Sequence, residues 1–286
     1  MPARGNEYAG AKGGSVNVQN IPRDDKAVKS AFMPKNDLLL FYDYPNIELK
    51  FLAFYLEKLG HPSMAQAFRD GADLHIITAA GLFGVPEAKV TDDQRQVAKR
   101  VNFSIVYGGG IPTLIEQGVC KDAPAALSLL KRYHGTWPGI GWQTRKSPAN
   151  PGTLAWHIDK VITKTTTPGE AGYIKTLWGR HLHPHSEHVR INCLCQGGGA
   201  DLMKYALVEV HRFCKAEGLR SHLVNTVHDE LCLDTVTDEL PILLKNIPRL
   251  MDYPEIAAHV PILPTPEISY TTWADKQTYT EEALAA

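Results

Sequence analysis

Carboxylates occur at two places in the sequence where an apolar run ends. Asp43 follows the apolar residues 38–42, and Asp229 and Glu230 stand between two segments of alternating apolar residues. Hard divalent cations such as Mg²⁺ prefer oxygen ligands, and a two-metal centre needs carboxylates about 4 Å from a shared position. Each acidic position alone is more often a turn residue. The hypothesis of a metal centre therefore depends on whether folding brings the two places together.

A second group of candidate residues lies on one predicted helix. Two cations and two aromatic rings recur there at every fourth position, and they are Arg95, Lys99, Phe103 and Tyr107. Residues four apart share a face of an α-helix. The simpler interpretation is a solvated basic stretch followed by core aromatics. The alternative is a site in which the cations and the helix dipole bind a polyphosphate while the rings face a base.

Capping signals define the ends of that helix. Thr91 and Gln94 have the spacing of a capping box, and two aspartates between them stand where the helix dipole favours acids. We predict a helix from about residue 92 to residue 107. The three glycines at 108–110 end it, because glycine lowers helix propensity and supplies C-cap geometry.

Changes of hydrophobic period predict the other elements. Residues 38–42 predict a buried central strand, and residues 47–59 have helical spacing. Residues 200–216 predict an amphipathic helix, and the alternation across 223–233 predicts two strands joined by a tight turn. Prolines, glycines and threonines interrupt residues 136–168, which predict turns, short helices and a mobile connection.

Composition excludes several classes of protein. The 286 residues are 44% hydrophobic, enough for a sizeable core, and 30 basic against 31 acidic residues leave no global field that attracts nucleic acid. No apolar run approaches the roughly 20 residues of a membrane span, so no membrane partner is expected. Five cysteines without a CxxC pair predict neither a disulfide framework nor a zinc ribbon. The histidine-rich residues 181–188 predict a surface loop rather than a zinc site.

Three motifs together resemble the A, B and C motifs of family A DNA polymerases, the bacterial polymerase I and phage group. They are residues 43–50 (DYPNIELK), 95–108 (RQVAKRVNFSIVYG) and 228–230 (HDE), and they occur in the family's order. Supporting segments also resemble the family, and they are residues 17–23 (NVQNIPR), 73–80 (DLHIITAA) and 191–197 (INCLCQG). The resemblance covers nearly the whole chain from Asn17 onward.

The resemblance implies an α+β fold, a right-hand polymerase palm on an antiparallel sheet with an inserted, mostly helical fingers subdomain. It places the palm at residues 31–60 and 189–286 and the fingers at residues 61–188. Residues 1–30 would be an N-terminal segment in which the thumb is absent. A thumb and exonuclease domains would then lie on a separate polypeptide, or have been lost by truncation. The expected location is the cytoplasm, that of the host if a phage encodes the chain.

The resemblance also implies a metal centre and a proton donor. Asp43 and Asp229, with Tyr44, would bind two Mg²⁺ ions, for which Mn²⁺ could substitute, and Glu230 would lie beside them. Lys99 would give a proton to the leaving pyrophosphate.

Further residues would bind the deoxynucleoside triphosphate and the primer-template DNA. The nucleotide-binding residues implied are Tyr44, Glu48, His75, Arg95, Lys99, Phe103 and Tyr107. The DNA-binding residues implied are Asn17, Gln19, Asn192, Gln196 and His228. Glu48 would exclude a ribose 2′-hydroxyl, Phe103 would pack against the sugar and discriminate against dideoxynucleotides, and Tyr107 would guard the templating position.

The activity implied is that of a DNA-templated DNA polymerase core. One alternative is a non-catalytic DNA-binding or assembly subunit of a split polymerase, against which the intact carboxylates argue. Another is a metal-dependent nuclease, in which the helix carrying Arg95 and Lys99 would have no purpose.

Overall fold

The computed structural model describes residue 21, residues 26–141 and residues 150–280. Asn17 and Gln19, which the resemblance assigns to DNA, lie outside this part of the chain. The α-helices described are α1 (Lys26–Lys29), α2 (Ile47–Lys58), α3 (Ser63–Arg69), α4 (Leu74–Phe83), α5 (Asp92–Val106), α6 (Ile111–Glu116), α7 (Ala123–Thr136), α8 (Leu154–Thr165), α9 (Arg190–Ala216), α10 (Leu240–Met251) and α11 (Pro254–Ala257). The strands are β1 (Leu38–Asp43), β2 (Ile174–Lys175), β3 (His181–Leu182), β4 (His222–Val227), β5 (Glu230–Thr235), β6 (Thr265–Ser269) and β7 (Gln277–Thr278). Among these helices, none combines the length and the apolar character that crossing a bilayer requires.

The chain divides into two compact units. The first combines Met1–Pro45, Leu202–Tyr253 and Leu263–Ala286, and the second combines Asn46–Asp201 and Pro254–Ile262. The first unit contains the large sheet, and the second is mostly helical.

A five-stranded antiparallel sheet forms the centre of the first unit, in the order β4-β5-β1-β6-β7. β1 is in the middle because residues 38–42 are apolar and buried on both faces. The Tyr42 hydroxyl donates a hydrogen bond to Leu243 O of α10 at 3.4 Å. The predictions of a buried strand at 38–42 and of a strand pair across 223–233 are confirmed.

Helices α4 and α5 pack against each other in the second unit, and α7 packs against α4. The capping box at the start of α5 is present: Thr91 Oγ1 accepts from Gln94 N at 3.3 Å, and the Gln94 side chain accepts from Thr91 N at 3.0 Å. The helix ends at Val106, just before the three glycines. The prediction of this helix is therefore confirmed.

The predicted boundaries of palm and fingers, after residue 60 and before residue 189, do not coincide with those of the compact units. α2 and the first part of α9 group with the helical unit. The reason is a close approach of these helices: a Cβ on Gly198 of α9 would lie 2.5 Å from Phe51 Cε1 of α2. The palm and fingers assignment stays a prediction.

Two helices extend beyond what the sequence pattern predicted. α8 is a regular helix inside the segment that predicted only turns and short helices, and Thr153 caps it by accepting from Trp156 N at 3.4 Å. α9 begins at Arg190, ten residues before its predicted start at residue 200. Three consecutive glycines in α9 lower its intrinsic propensity, but they allow close packing that a longer side chain would prevent.

The histidine-rich segment is not only a loop, because it begins with β3, the second strand of the short β2–β3 hairpin. His181 begins β3, and its ring stacks on Tyr173 with the centroids 3.9 Å apart. Arg180 Nε pairs with Asp201 Oδ1 of α9 at 2.7 Å. The ring stacking on His181 and the ion pair of the preceding Arg180 hold this part of the chain in place. Composition alone did not indicate either contact.

Gly108→Ala is expected to lower the free energy of unfolding by at least about 2 kcal/mol. Gly108 has a positive φ of 78°, and a Cβ there would lie 1.9 Å from the backbone oxygen of His188, which cannot move aside as a flexible side chain can. Gly110→Ala is the matched control, because Gly110 has φ −127° and open space where its Cβ would be. Urea unfolding measures both variants, and equal stabilities would contradict the expectation.

Candidate active site

The two acidic places of the sequence meet at one end of the central sheet. β1 and β5 pair so that Asp43 lies directly opposite Glu230. The two-residue turn of His228 and Asp229 joins β4 to β5, and His228 adopts a positive φ of 53° in it. Tyr44 N–H donates to Asp229 O at 3.2 Å, which places Asp43 and Asp229 on neighbouring backbone segments. Folding therefore brings the main chains of these three acidic residues together at one end of the sheet.

A lysine near the end of the described chain neutralises part of this acidic cluster. Lys276 Nζ pairs with Glu230 Oε2 and, at 2.5 Å, with Glu267 Oε2 of β6. Its ammonium also lies 5.3 Å from the centroid of the Phe41 ring. Burial raises the pKa of Glu230; Lys276 opposes that rise, and Asp43 and Glu267 add to it. The Glu230 carboxylate is thus engaged by Lys276 beneath the end of the sheet.

The Tyr44 side chain is buried away from water. Its hydroxyl donates to Met251 O at 2.5 Å. Burial, with smaller contributions from Asp252 and Tyr205, raises the pKa of Tyr44 far above its ordinary value. A neutral phenol whose O–H is already engaged in a hydrogen bond is a poor metal ligand. The main-chain oxygen is therefore the part of Tyr44 that can serve a metal or a nucleotide.

The oxygen donors at this end of the sheet fit magnesium. Mg²⁺ is usually held by one or two carboxylates together with substrate phosphates and water, not by a cage of protein ligands. Asp43 and Asp229 could supply two carboxylates, and the main chain of Tyr44 could supply a carbonyl oxygen. Within residues 26–141 and 150–280, no three His, Cys, Asp or Glu side chains form a group that could hold an ion by themselves.

The second unit carries an anchored arginine at the N-terminus of α4. Asp73 caps α4 because its Oδ1 accepts from His75 N at 2.8 Å and from Ile76 N at 3.2 Å. Its Oδ2 accepts from Arg95 Nε and pairs with Arg95 Nη2, both at 2.7 Å. Burial alone would raise the pKa of Asp73, but Arg95 and the two backbone N–H groups outweigh it and hold that pKa below its ordinary value.

His75 lies among the cations of α5. The residue is 5% exposed, and its ring centroid is 6.0 Å from that of Phe103. Burial lowers the pKa of His75, Asp73 opposes this, and Arg95 and Lys99 lower it further. Lys99 itself is exposed. His75, Arg95 and the exposed Lys99 thus lie close enough to affect one another electrostatically. Such a group of basic side chains suits the binding of a polyanion.

Glu48 and Tyr107 are joined by a hydrogen bond. The Tyr107 hydroxyl donates to Glu48 Oε1 at 3.0 Å, and its ring lies 6.5 Å from that of Phe103. Tyr107 is 44% exposed, so it is not the core aromatic of the simpler interpretation. This contact places a carboxylate beside the aromatic half of the α5 face.

A family model described as DNA polymerase family A matches residues 13–275. The chain belongs to DNA polymerase family A. Its relatives include DNA polymerase I of Pseudomonas aeruginosa, which is 32% identical over 251 residues, covering 82% of this chain and 25% of the relative. DNA polymerase I of Geobacillus stearothermophilus is 29% identical over 283 residues, covering 91% of this chain and 29% of the relative. This family A chain therefore spans less than a third of these relatives' length.

A solved structure shares the family A fold. The POL domain of Pol1 from M. smegmatis, in complex with DNA primer-template and dNTP, is similar with a TM-score of 0.73 and 25% identity. The match covers 90% of this chain and 44% of that chain. The expectation of a polymerase fold that combines helices with an antiparallel sheet is confirmed.

Two residues that the family A resemblance assigns to DNA lie one helical turn apart on α9. Gln196 is exposed, and Asn192 is half-buried. The Asn192 Oδ1 atom is buried, and no residue in the described part of the chain bonds to it. His228, the third, is exposed in the β4–β5 turn of the first unit.

Sequence reasoning missed three residues that contact the predicted site residues of this family A chain. Lys276 belongs to no motif, and nothing in the sequence links it to Glu230. Asp73 stands just before an apolar run, which is a usable N-cap signal. Asn102 lies inside the second motif, but its position there does not reveal that its side chain contacts His75 and Thr78.

Proposed function

We propose that this family A chain is a DNA-templated DNA polymerase core, which adds deoxynucleotides to a primer 3′ end by two-metal-ion phosphoryl transfer. The observation that carries the proposal is the meeting of Asp43 and Asp229 where β1 pairs with the β4–β5 hairpin. Family membership supports it, as does the likeness to a POL domain solved with DNA primer-template and dNTP.

Asp43, Asp229 and the main-chain oxygen of Tyr44 would hold two Mg²⁺ ions, or Mn²⁺ in their place. When bound, the ions would lower the pKa of the primer hydroxyl and offset charge on the triphosphate and its leaving group. Lys276 engages Glu230 and so keeps it from adding a third charge to the Asp pair. Substrate phosphates would then supply further oxygen ligands to the ions.

His75, Arg95 and Lys99 would bind the triphosphate in this proposal. Arg95 offers a planar donor that suits phosphate, and its bonds to Asp73 hold it at the N-terminus of α4. Lys99 is the exposed cation of the group and would give a proton to the leaving pyrophosphate. Phe103 would pack against the sugar.

Glu48→Ala is expected to raise the use of ribonucleotides relative to deoxynucleotides by about tenfold or more, the effect of removing one well-placed steric contact. The Tyr107 hydroxyl holds the Glu48 carboxylate in place. Removing that carboxylate therefore opens space for a ribose 2′-hydroxyl. Tyr107→Phe keeps the ring but frees the carboxylate and should give a smaller rise. The ratio of kcat/KM for the two sugars measures both, and unchanged selectivity in Glu48→Ala would remove the proposed gate.

Primer-template DNA would contact Asn17, Gln19, Asn192, Gln196 and His228. With a net charge of −1, the chain has few excess cationic side chains to neutralise the phosphates of duplex DNA.

A separate polypeptide with a thumb and an exonuclease, and a phage origin, stay predictions; the relatives compared are bacterial. Weak DNA binding by the chain alone is expected, and nanomolar binding at physiological salt would contradict it.

Mg²⁺-dependent extension of a labelled primer on a DNA template tests the proposed function. We expect template-directed extension at low salt that weakens at moderate salt. DNA binding without extension by a folded chain would favour the alternative, a non-catalytic subunit. Shortening of the primer instead of extension would favour a nuclease.

A further inference from the structure

A chain of buried hydrogen bonds leads from His75 into the core of the second unit. The Asn102 side-chain amide lies 2.9 Å from His75 Nδ1 at one end and 3.1 Å from Thr78 Oγ1 at the other. Trp137 Nε1 lies 2.9 Å from the same Thr78 oxygen. Thr78 and Asn102 are 0% exposed, and Trp137 is 2% exposed. Water cannot replace a missing partner here, so each proton must be accounted for.

Thr78 has one hydroxyl proton and three polar neighbours. Leu74 O can only accept and lies 2.7 Å from Thr78 Oγ1, closer than the Asn102 amide at 3.1 Å, so we assign that proton to the bond with Leu74 O. Trp137 Nε1–H can only donate, so it uses one lone pair of Oγ1. If the amide oxygen of Asn102 faced Thr78, the contact between these two oxygens would have no proton, because the hydroxyl proton already points to Leu74 O. With Nδ2 facing Thr78, every contact is satisfied, and the exchange of Oδ1 and Nδ2 moves no other atom.

This orientation decides where His75 carries its proton. If Asn102 Nδ2 donates to Thr78, then Asn102 Oδ1 faces His75 Nδ1, and Nδ1 must be the protonated nitrogen. The other nitrogen of a neutral imidazole, Nε2, is then an acceptor. An acceptor repels a phosphate oxygen, whereas a protonated Nε2 donates to it.

We propose that Asn102 is a positioning residue that keeps the proton of neutral His75 on Nδ1, so that His75 binds a triphosphate only after Nε2 takes up a second proton. The inference deepens the proposed function, because it rests on His75 contacting the triphosphate. Nucleotide binding would thus be coupled to proton uptake, and Asn102, Thr78 and Trp137 would impose that coupling.

The charges around His75 set the sign of this coupling. Within the described chain, they are Asp73 at the start of α4 and Arg95 and Lys99 on α5. Burial and the two cations keep the pKa of unliganded His75 below its ordinary value, although Asp73 opposes them. A bound triphosphate adds negative charge and raises that pKa. Between the free and bound pKa values, affinity falls by up to about tenfold per pH unit as pH rises.

Nitrogen NMR of the full chain labelled at histidine tests the tautomer directly. The His75 signals are assigned by their loss in His75→Gln, and we expect a protonated Nδ1 and an unprotonated Nε2. Thr78→Val removes the oxygen that orients Asn102 and should mix the two tautomers, whereas Thr78→Ser keeps the hydroxyl and should restore Nδ1–H. A protonated Nε2 in the unaltered chain, or an unchanged tautomer in Thr78→Val, would overturn the inference.

Calorimetric titration of Mg²⁺ and dATP tests the coupling. The heats in two buffers of different ionisation enthalpy give the protons taken up on binding. His75→Gln keeps an amide donor but cannot titrate, so the difference between the two chains cancels the protons of the triphosphate itself. We expect up to one extra proton in the unaltered chain, and equal uptake would refute the coupling. Absence of dATP binding, with the expected tautomer present, would count against the proposed function and leave the role of Asn102 supported.

Discussion

Asp229→Asn is expected to slow primer extension by about a thousandfold or more, because losing one of the two carboxylates proposed to bind metal would cost several kcal/mol of transition-state stabilisation. The amide has nearly the same shape as the carboxylate, and Asp229 pairs with Tyr44 through its backbone oxygen, which the change leaves in place. The hairpin should therefore fold and DNA should still bind. Single-turnover extension, with DNA binding measured on the same sample, separates the two effects.

Asp238→Asn is the matched control in the same unit. The Asp238 side chain is 89% exposed, so this variant should extend primers at the unaltered rate. Asp43→Asn should lose about as much as Asp229→Asn, and the double variant should lose little more, because the two carboxylates act as one unit. A rate for Asp229→Asn within tenfold of the unaltered chain would contradict the assignment of both residues.

Local signals were enough to predict the elements that carry the candidate site residues. The buried strand at 38–42, the capped helix α5 and the strand pair across 223–233 each depend on residues close in sequence. Apolar runs, capping boxes and alternation express this local physics directly. The roles of the residues came from the family resemblance instead, because periodicity does not distinguish a catalytic carboxylate from a turn residue.

Long-range partners could not be predicted from the pattern. Lys276 reaches Glu230 across 46 positions, and Arg95 reaches Asp73 across 22. Each pairing depends on packing that is decided only when distant elements meet. The length of α9 was missed for the same reason, since its glycines look unfavourable until the neighbouring side chains they admit are known.

Lys276→Met is expected to destabilise the chain by about 3 kcal/mol, the low end for removing one partner of a buried ion pair. The low end applies because the Lys276 side chain is 28% exposed. The variant leaves Glu230, which lies opposite Asp43, and Glu267 without their cation. Burial already raises the pKa of Glu230, and loss of the lysine raises it further. A carboxyl group of raised pKa binds protons more tightly when folded, so the deficit in stability should grow as pH rises.

The combined variant Lys276→Met with Glu230→Gln distinguishes a lost ion pair from lost packing. If the cost comes from a buried, uncompensated carboxylate, Glu230→Gln removes that charge, and the double variant should recover about half of the loss or more. If the cost comes instead from losing the contact of the Lys276 ammonium with the Phe41 ring, Glu230→Gln does not restore that contact, and the second change should recover nothing. Lys245→Met, at an exposed position on α10, reports the effect of the substitution itself. Urea unfolding at two pH values decides the matter: a deficit that is independent of pH and unrelieved by Glu230→Gln would show that Lys276 does not serve as the counter-ion of this carboxylate cluster.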